Sequence, residues 1–112
     1  MKFISTRGRS QVDCAATAIA KGLADDGGLF VPTEIPEISL EFIEKLVPMS
    51  YIERAKEVLR LYLTDFTEDE LSMCVEGAYK AGKFSSEKVA PLYKLTDKAN
   101  ILELWRGPTC AF

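Results

Sequence analysis

Two hydroxyl–carboxylate pairs, Ser50 with Glu53 and Thr67 with Glu70, constrain the middle of this chain more than any other feature. In each, a Ser or Thr stands three residues before a Glu, the arrangement in which the two side chains satisfy each other's backbone N–H at a helix start. Behind the first pair, Ile52, Ala55, Val58, Leu59 and Tyr62 recur at helical period. Behind the second, Leu71, Val75, Ala78 and Tyr79 do the same, and Gly82 is placed to stop the run. The spacing predicts helices over about residues 51–63 and 68–81, and the short "TDF" connection predicts that they pack as neighbours.

Strand patterns occur only toward the two ends. "KFIS" reads as a short strand near the start, and "APLYKL" and "ILELW" read as two more, separated by the polar turn "TDKAN". We expect these three to join in one small sheet covered by helices. Between "KFIS" and the central helices, Ser10 with Asp13 resembles a capping box, and Val12, Ala15, Ala16 and Ile19 predict a helix over about residues 11–21, ended by Gly22. "DDGG" is turn chemistry, because glycine reaches positive φ without steric cost. Leu29-Phe30-Val31 then reads as a short extended piece closed by Pro32, and Ser39 as the cap of a short helix that Pro48 bars from extending. The fold class implied is α+β, with a few short strands and about four helices.

Composition narrows the function classes. The 112 residues suit one domain with a modest core, and a 47% apolar content makes the chain foldable. Charges of both signs are interspersed around a formal net of −3, so neither a basic face nor a nucleic-acid partner is expected. No run has the length of a signal peptide core or a membrane span. Three widely spaced cysteines suit reduced thiols and a cytoplasmic setting. The chain has no histidine, which removes Ser-His-Asp and Cys-His catalysis and His-based zinc sites, and no metal site is expected.

Two motifs remain that could carry chemistry. "STRGRS" sets hydroxyls and two arginines before the expected helix start, where N–H groups and the dipole favour an anion. The plainer reading, that Ser10 caps the helix and the arginines are solvated, is favoured on the residues alone. Asp25 and Asp26 of "LADDGGLFVP" are read as a turn rather than as acid chemistry. "WRGPTCAF" offers Thr109 and Cys110 as nucleophiles without a base.

Taken together these segments resemble threonine synthase. "ISTRG" is similar to that family's Y-x-S-T-R-G opening, "KGLADDGGLFVP" to its G-L-A-x-D-G-G-L-x-V-P segment, "SYIERAKEVLRLYL" to its S-Y-x-x-x-A-x-x-V-L helix, and "LELWRGPTCAF" to the run ending in G-P-T-x-A-F-K-D. All four lie in the family's order and cover the chain from end to end. The resemblance implies an N-terminal piece of a fold-type II pyridoxal-phosphate lyase that converts O-phospho-L-homoserine and water to L-threonine and phosphate. Residues 1–95 would be its N-terminal domain, and 96–112 the strand and turn leading into the cofactor-binding domain. The catalytic lysine that holds pyridoxal phosphate would directly follow Phe112, so the piece alone is expected to be inactive and to bind no cofactor.

By position, Ser5, Thr6 and Arg7 would bind substrate, with its phosphate as the contact. Asp26, Gly27, Gly28, Leu29, Val31 and Pro32 would be structural. Gly107, Pro108, Thr109, Ala111 and Phe112 would form the cofactor-proximal loop. The family's His before G-P-T is Arg106 here, and its opening Tyr is replaced by Phe3 or Ile4. The expected partner is a small-molecule substrate, with neither membrane nor nucleic acid, and an exposed apolar docking surface near Trp105, Ala111 and Phe112, with Leu29 and Phe30, through which the piece could self-associate. Two rival readings stand beside this one: a threonine-synthase-like phospho-lyase, and a self-standing helical interaction domain without chemistry.

Overall fold

The computed structural model describes residues 1–109. Among them the chain order is β1 (Phe3–Ser5), β2 (Gln11–Val12), α1 (Ala15–Lys21), β3 (Phe30–Pro32), α2 (Leu40–Leu46), α3 (Tyr51–Arg60), α4 (Glu68–Tyr79), β4 (Leu92–Lys94) and β5 (Asn100–Leu102). The chain divides into two compact units, Met1–Met73 and Cys74 onward.

In the first unit, β1 is the centre of a three-stranded antiparallel sheet of order β2-β1-β3. Phe3 pairs with Val12 on one side and Pro32 on the other, and Ser5 pairs with Phe30. Pro32 is tolerated because it closes an edge strand. The period-two alternation of β1 turns Phe3 and Ser5 to the buried side and leaves Ile4 half-exposed. Phe3 packs with Ala15 and Ala18 of α1, and Met1, Val12, Phe30, Leu63 and Phe66 close around them. Two alanines on the inner face of α1 let the helix lie close to the sheet.

Helix α1 begins later than the sequence pattern predicts. Gln11 and Val12 are the strand β2, the N-cap is Cys14, and Cys14 makes no side-chain cap hydrogen bond. Ser10 does not cap a helix: its carbonyl accepts the Ser5 N–H at 2.7 Å, closing the β1–β2 turn. The helix start is satisfied by Asp65 of the "TDF" connection, whose carboxylate accepts the N–H groups of Ala15 at 3.0 Å and Ala16 at 2.9 Å. The expected end is observed: Gly22, at φ +70°, donates its N–H to the Ala18 carbonyl.

The remaining helices of this unit follow their caps. Ser39 accepts the Phe42 N–H and starts α2. Ser50 and Glu53 form both halves of the predicted box at α3, as Thr67 and Glu70 do at α4. α3 packs against α2. Arg54 donates to the Leu46 and Val47 carbonyls at 2.8 and 2.7 Å, satisfying the C-terminal groups of α2. Lys45 bridges to Glu57 at 2.7 Å. An Arg60–Glu68 ion pair at 2.5 Å links α3 to α4. On α4, Leu71 is almost fully buried.

The second unit holds an antiparallel hairpin in which Leu92 pairs with Leu102 and Tyr93 with Ile101. The single sheet expected from "KFIS", "APLYKL" and "ILELW" is therefore two sheets. β1 takes as partners the nearby segments Gln11–Val12 and Phe30–Pro32, while β4 and β5 are joined by a short turn and pair with each other. Closing a short loop costs less chain entropy than pairing strands some ninety residues apart.

Candidate functional site

"STRG" and "DDGG", separate in sequence, form one site in the first unit. The N–H of Thr6 donates to the Leu29 carbonyl at 2.8 Å, and the Leu29 N–H donates to the Thr6 hydroxyl at 3.1 Å. This extends the β1–β3 register by one residue and brings the two motifs side by side.

Asp26 sits at the centre. Its Oδ1 accepts the Ser5 hydroxyl at 2.6 Å and the Gly28 N–H at 3.0 Å, and its Oδ2 accepts the Arg9 N–H at 3.0 Å. Its backbone carbonyl accepts Nη1 of Arg7 at 2.9 Å. The Ser5 hydroxyl is the largest influence on the Asp26 carboxyl and lowers its pKa. Partial desolvation opposes that effect. The N–H groups of Gly28 and Arg9 and the positive charge of Arg7 add to it, and the net result lies below the ordinary aspartate value. The carboxylate is thus the working form of this turn.

Both glycines are needed where they stand. A Cβ on Gly28 would lie 2.0 Å from Ser5 Oγ and 3.0 Å from Thr6 Oγ1. Gly27 has φ +77°, and a Cβ there would meet the Arg7 guanidinium at 2.9 Å. The "DDGG" run is a turn, as its composition predicts. It is also the mould against which the Ser5–Arg9 segment is set.

The sequence-predicted residues fall into clear places. Ser5 is buried at 3% exposure, and its oxygen also accepts the Arg7 N–H at 3.1 Å. Thr6 and Arg7 are exposed. Trp105, Gly107, Pro108 and Thr109 lie in the second unit, where Arg106 bridges to Glu103 at 2.6 Å and its carbonyl accepts the Ser85 N–H at 3.0 Å. Pro108, Thr109 and Trp105 are exposed, and Gly107 faces the Phe84 ring. Ala111 and Phe112, with Cys110, lie outside the described residues. Asp26 is the residue whose part in the site sequence reasoning missed. Its local signal, an Asp two residues before Gly, was legible as an Asx turn, but its bond to Ser5 spans 21 residues.

Beside this site an apolar face lies open. Ile19, Leu23 and Leu29 are 62, 61 and 61% exposed. With Phe3, Ala15, Ala18, Phe30 and Leu63, Ile19 and Leu29 line an open concavity of about 340 Å³. Among the described residues no three His, Cys, Asp or Glu side chains are grouped to hold a metal, and no helix is long and apolar enough to cross a membrane.

Comparison with known proteins matches residues 2–79 to the family described as threonine synthase N terminus. The threonine synthase of Schizosaccharomyces pombe is 40% identical over the whole of this chain, which covers 22% of that protein. Human threonine synthase-like 1 is 38% identical over 98% of this chain, which covers 16% of that protein. The crystal structure of pyridoxal-phosphate-bound threonine synthase from Brucella melitensis matches the whole chain with a TM-score of 0.81 and 38% identity, over 24% of its own length. The chain thus spans about a quarter or less of the length of these relatives. Solved threonine synthases reproduce this arrangement of short strands and four helices, the α+β architecture expected of the N-terminal part of a fold-type II enzyme. With the Ser5–Arg9 and Asp26–Leu29 segments locked together inside a matched region that covers most of its length, this chain belongs to the threonine synthase N-terminus family.

Proposed function

We propose that this chain is the N-terminal part of a pyridoxal-phosphate-dependent threonine synthase that converts O-phospho-L-homoserine and water to L-threonine and phosphate. The observation that carries the reading is the match of the whole chain to a pyridoxal-phosphate-bound threonine synthase at 38% identity, with all four family-like segments in order. In this reading, residues 96–112 lead into the cofactor-binding domain, and Gly107, Pro108, Thr109, Ala111 and Phe112 approach the cofactor. The Ser5–Arg7 segment faces the substrate, with its phosphate as the contact. The setting is cytoplasmic.

In this reading the described residues of this chain carry no complete pyridoxal-phosphate site of their own. Such a site needs an amine free to form a Schiff base and fixed donors for ring and phosphate. Lys21 is bridged to Asp25 at 2.8 Å, Lys45 to Glu57 at 2.7 Å and Lys94 to Asp97 at 2.7 Å, all on open surface. The 112-residue chain by itself is expected to release no phosphate and to give no single lysine adduct when mixed with the cofactor and reduced with borohydride.

The direct test is to express the reading frame with the codons that follow Phe112 and assay phosphate release from O-phospho-L-homoserine. The expected result is a Lys codon next and stoichiometric threonine. A stop codon directly after Phe112 overturns the reading. Phosphate released without threonine would instead assign a threonine-synthase-like lyase.

A further inference from the structure

We propose that Asp26 is a positioning residue: together with Ser5 it presents the Arg7 guanidinium and the Thr6 hydroxyl to the phosphate of the substrate. This rests on the reading above that the Ser5–Arg7 segment faces a phosphate ester, and it divides the labour among the residues of that segment.

Hydrogen-bond capacity makes the division. A serine hydroxyl has one proton to donate. That of Ser5 is given to Asp26, its oxygen is occupied by the Arg7 N–H, and the residue is buried. Ser5 therefore has no proton left to give an anion. Thr6 uses its oxygen as acceptor toward the Leu29 N–H and keeps its O–H proton on an exposed side chain. Arg7 spends Nη1 on a carbonyl, not on a carboxylate, so its charge is not neutralised by an ion pair and its other N–H donors point to no described partner. An arginine fork with donors to spare is the group that grips phosphate in two parallel bonds.

Asp26 straddles Arg7. Its carboxylate takes Ser5 and Arg9, two residues before and two residues after Arg7, and its carbonyl takes Arg7 itself. Three donors cover the carboxylate, so its charge is spent on shaping the loop and turns less repulsion toward an incoming anion. An asparagine could accept from Ser5 and Gly28 through its oxygen, but its NH2 would face the Arg9 N–H, donor against donor, and that tie would be lost.

The test uses the 112-residue chain with inorganic phosphate as probe, followed on the Arg7 side-chain N–H and the Thr6 amide by NMR. The Ala15 and Ala16 amides, held by Asp65 away from this turn, report whether the fold persists. Saturable shifts are expected in the unmodified chain, their loss in Arg7→Lys, and roughly tenfold weaker binding in Asp26→Asn and Ser5→Ala. Sulfate, which takes up a proton only well below the ordinary aspartate range, supplies the pH series. Its affinity should fall as pH drops through the depressed Asp26 pKa, with Arg7 the charged group facing that carboxylate. The Asp26→Asn variant should lack this step, which a purely structural role would not remove from a folded chain. Undiminished binding in Arg7→Lys, or none in the unmodified chain, would overturn the anion reading itself. Loss in Arg7→Lys with full affinity in folded Asp26→Asn would overturn the positioning role alone. Should Asp26→Asn unfold the chain, Ser5→Ala decides, and full affinity there is again the overturning result.

Discussion

The carboxylate of Asp65 caps helix α1 from 50 residues away, accepting the N–H of Ala15 at 3.0 Å and of Ala16 at 2.9 Å. The connection that separates the two central helices thus does more than join them. Phe66 beside it packs on the Phe3–Ala15–Ala18 core, so one short loop supplies both a cap and a core contact.

Replacing Asp65 by alanine should cost about 1 kcal/mol, the usual worth of a helix N-cap. The measurement is urea unfolding, with amide exchange of Ala15 and Ala16 as the local readout. Exchange rates there that stay at the unmodified level would show that Asp65 is not the cap.

Acid should weaken the fold through two aspartates. Both Asp65 and Asp26 have pKa values below the ordinary 3.8 in the folded chain. At Asp65, desolvation is the largest single influence and raises the pKa, but hydrogen bonds from the N–H groups of Ala16, Ala15 and Asp65 itself, with the Cys14 side chain, together outweigh it. A carboxyl depressed on folding contributes stability that is fully present above its unfolded pKa and is lost as pH falls through the folded one. Urea midpoints should therefore hold steady above about pH 5 and decline below about pH 4. Asp65→Asn and Asp26→Asn should each flatten that decline.

A methyl group at Gly28 has nowhere to go. Gly28→Ala places Cβ 2.0 Å from Ser5 Oγ and should destabilise the chain by about 1–3 kcal/mol. Adding Ser5→Ala removes the nearest clashing atom and should recover part of the loss, although the Thr6 hydroxyl and the Arg7 N–H remain close. Strict additivity of the two substitutions in denaturation experiments would contradict the contact.

The open face carrying Ile19, Leu23 and Leu29 should govern association of the isolated chain. Ile19→Ser with Leu29→Ser should change stability by no more than about 0.5 kcal/mol per site, since both side chains are already largely in water. Concentration-dependent sedimentation should shift toward the monomer in the double variant. An unmodified chain that stays monomeric at high concentration would refute this.

What the sequence by itself determined is the set of features closed within a few residues. The boxes at Ser50 and Thr67, the Ser39 cap and the Gly22 stop all formed as their local patterns predict. Each depends on side-chain reach or glycine's conformational freedom, which neighbours three or four residues away already fix. The tertiary structure decided what depends on distant closure. Ser10 and Asp13 matched a capping box, yet Gln11 and Val12 were drawn into the sheet by Phe3 and Ile4, and Asp65 took over the cap. "STRG" and "DDGG" gave no sign of each other in sequence. Their meeting requires β1 and β3 to pair with Ser5 opposite Phe30, which sets Asp26 under the Ser5 hydroxyl and leaves the Arg7 guanidinium facing out. That register follows from burying Phe3 against α1, a gain realised only once the whole first unit has assembled.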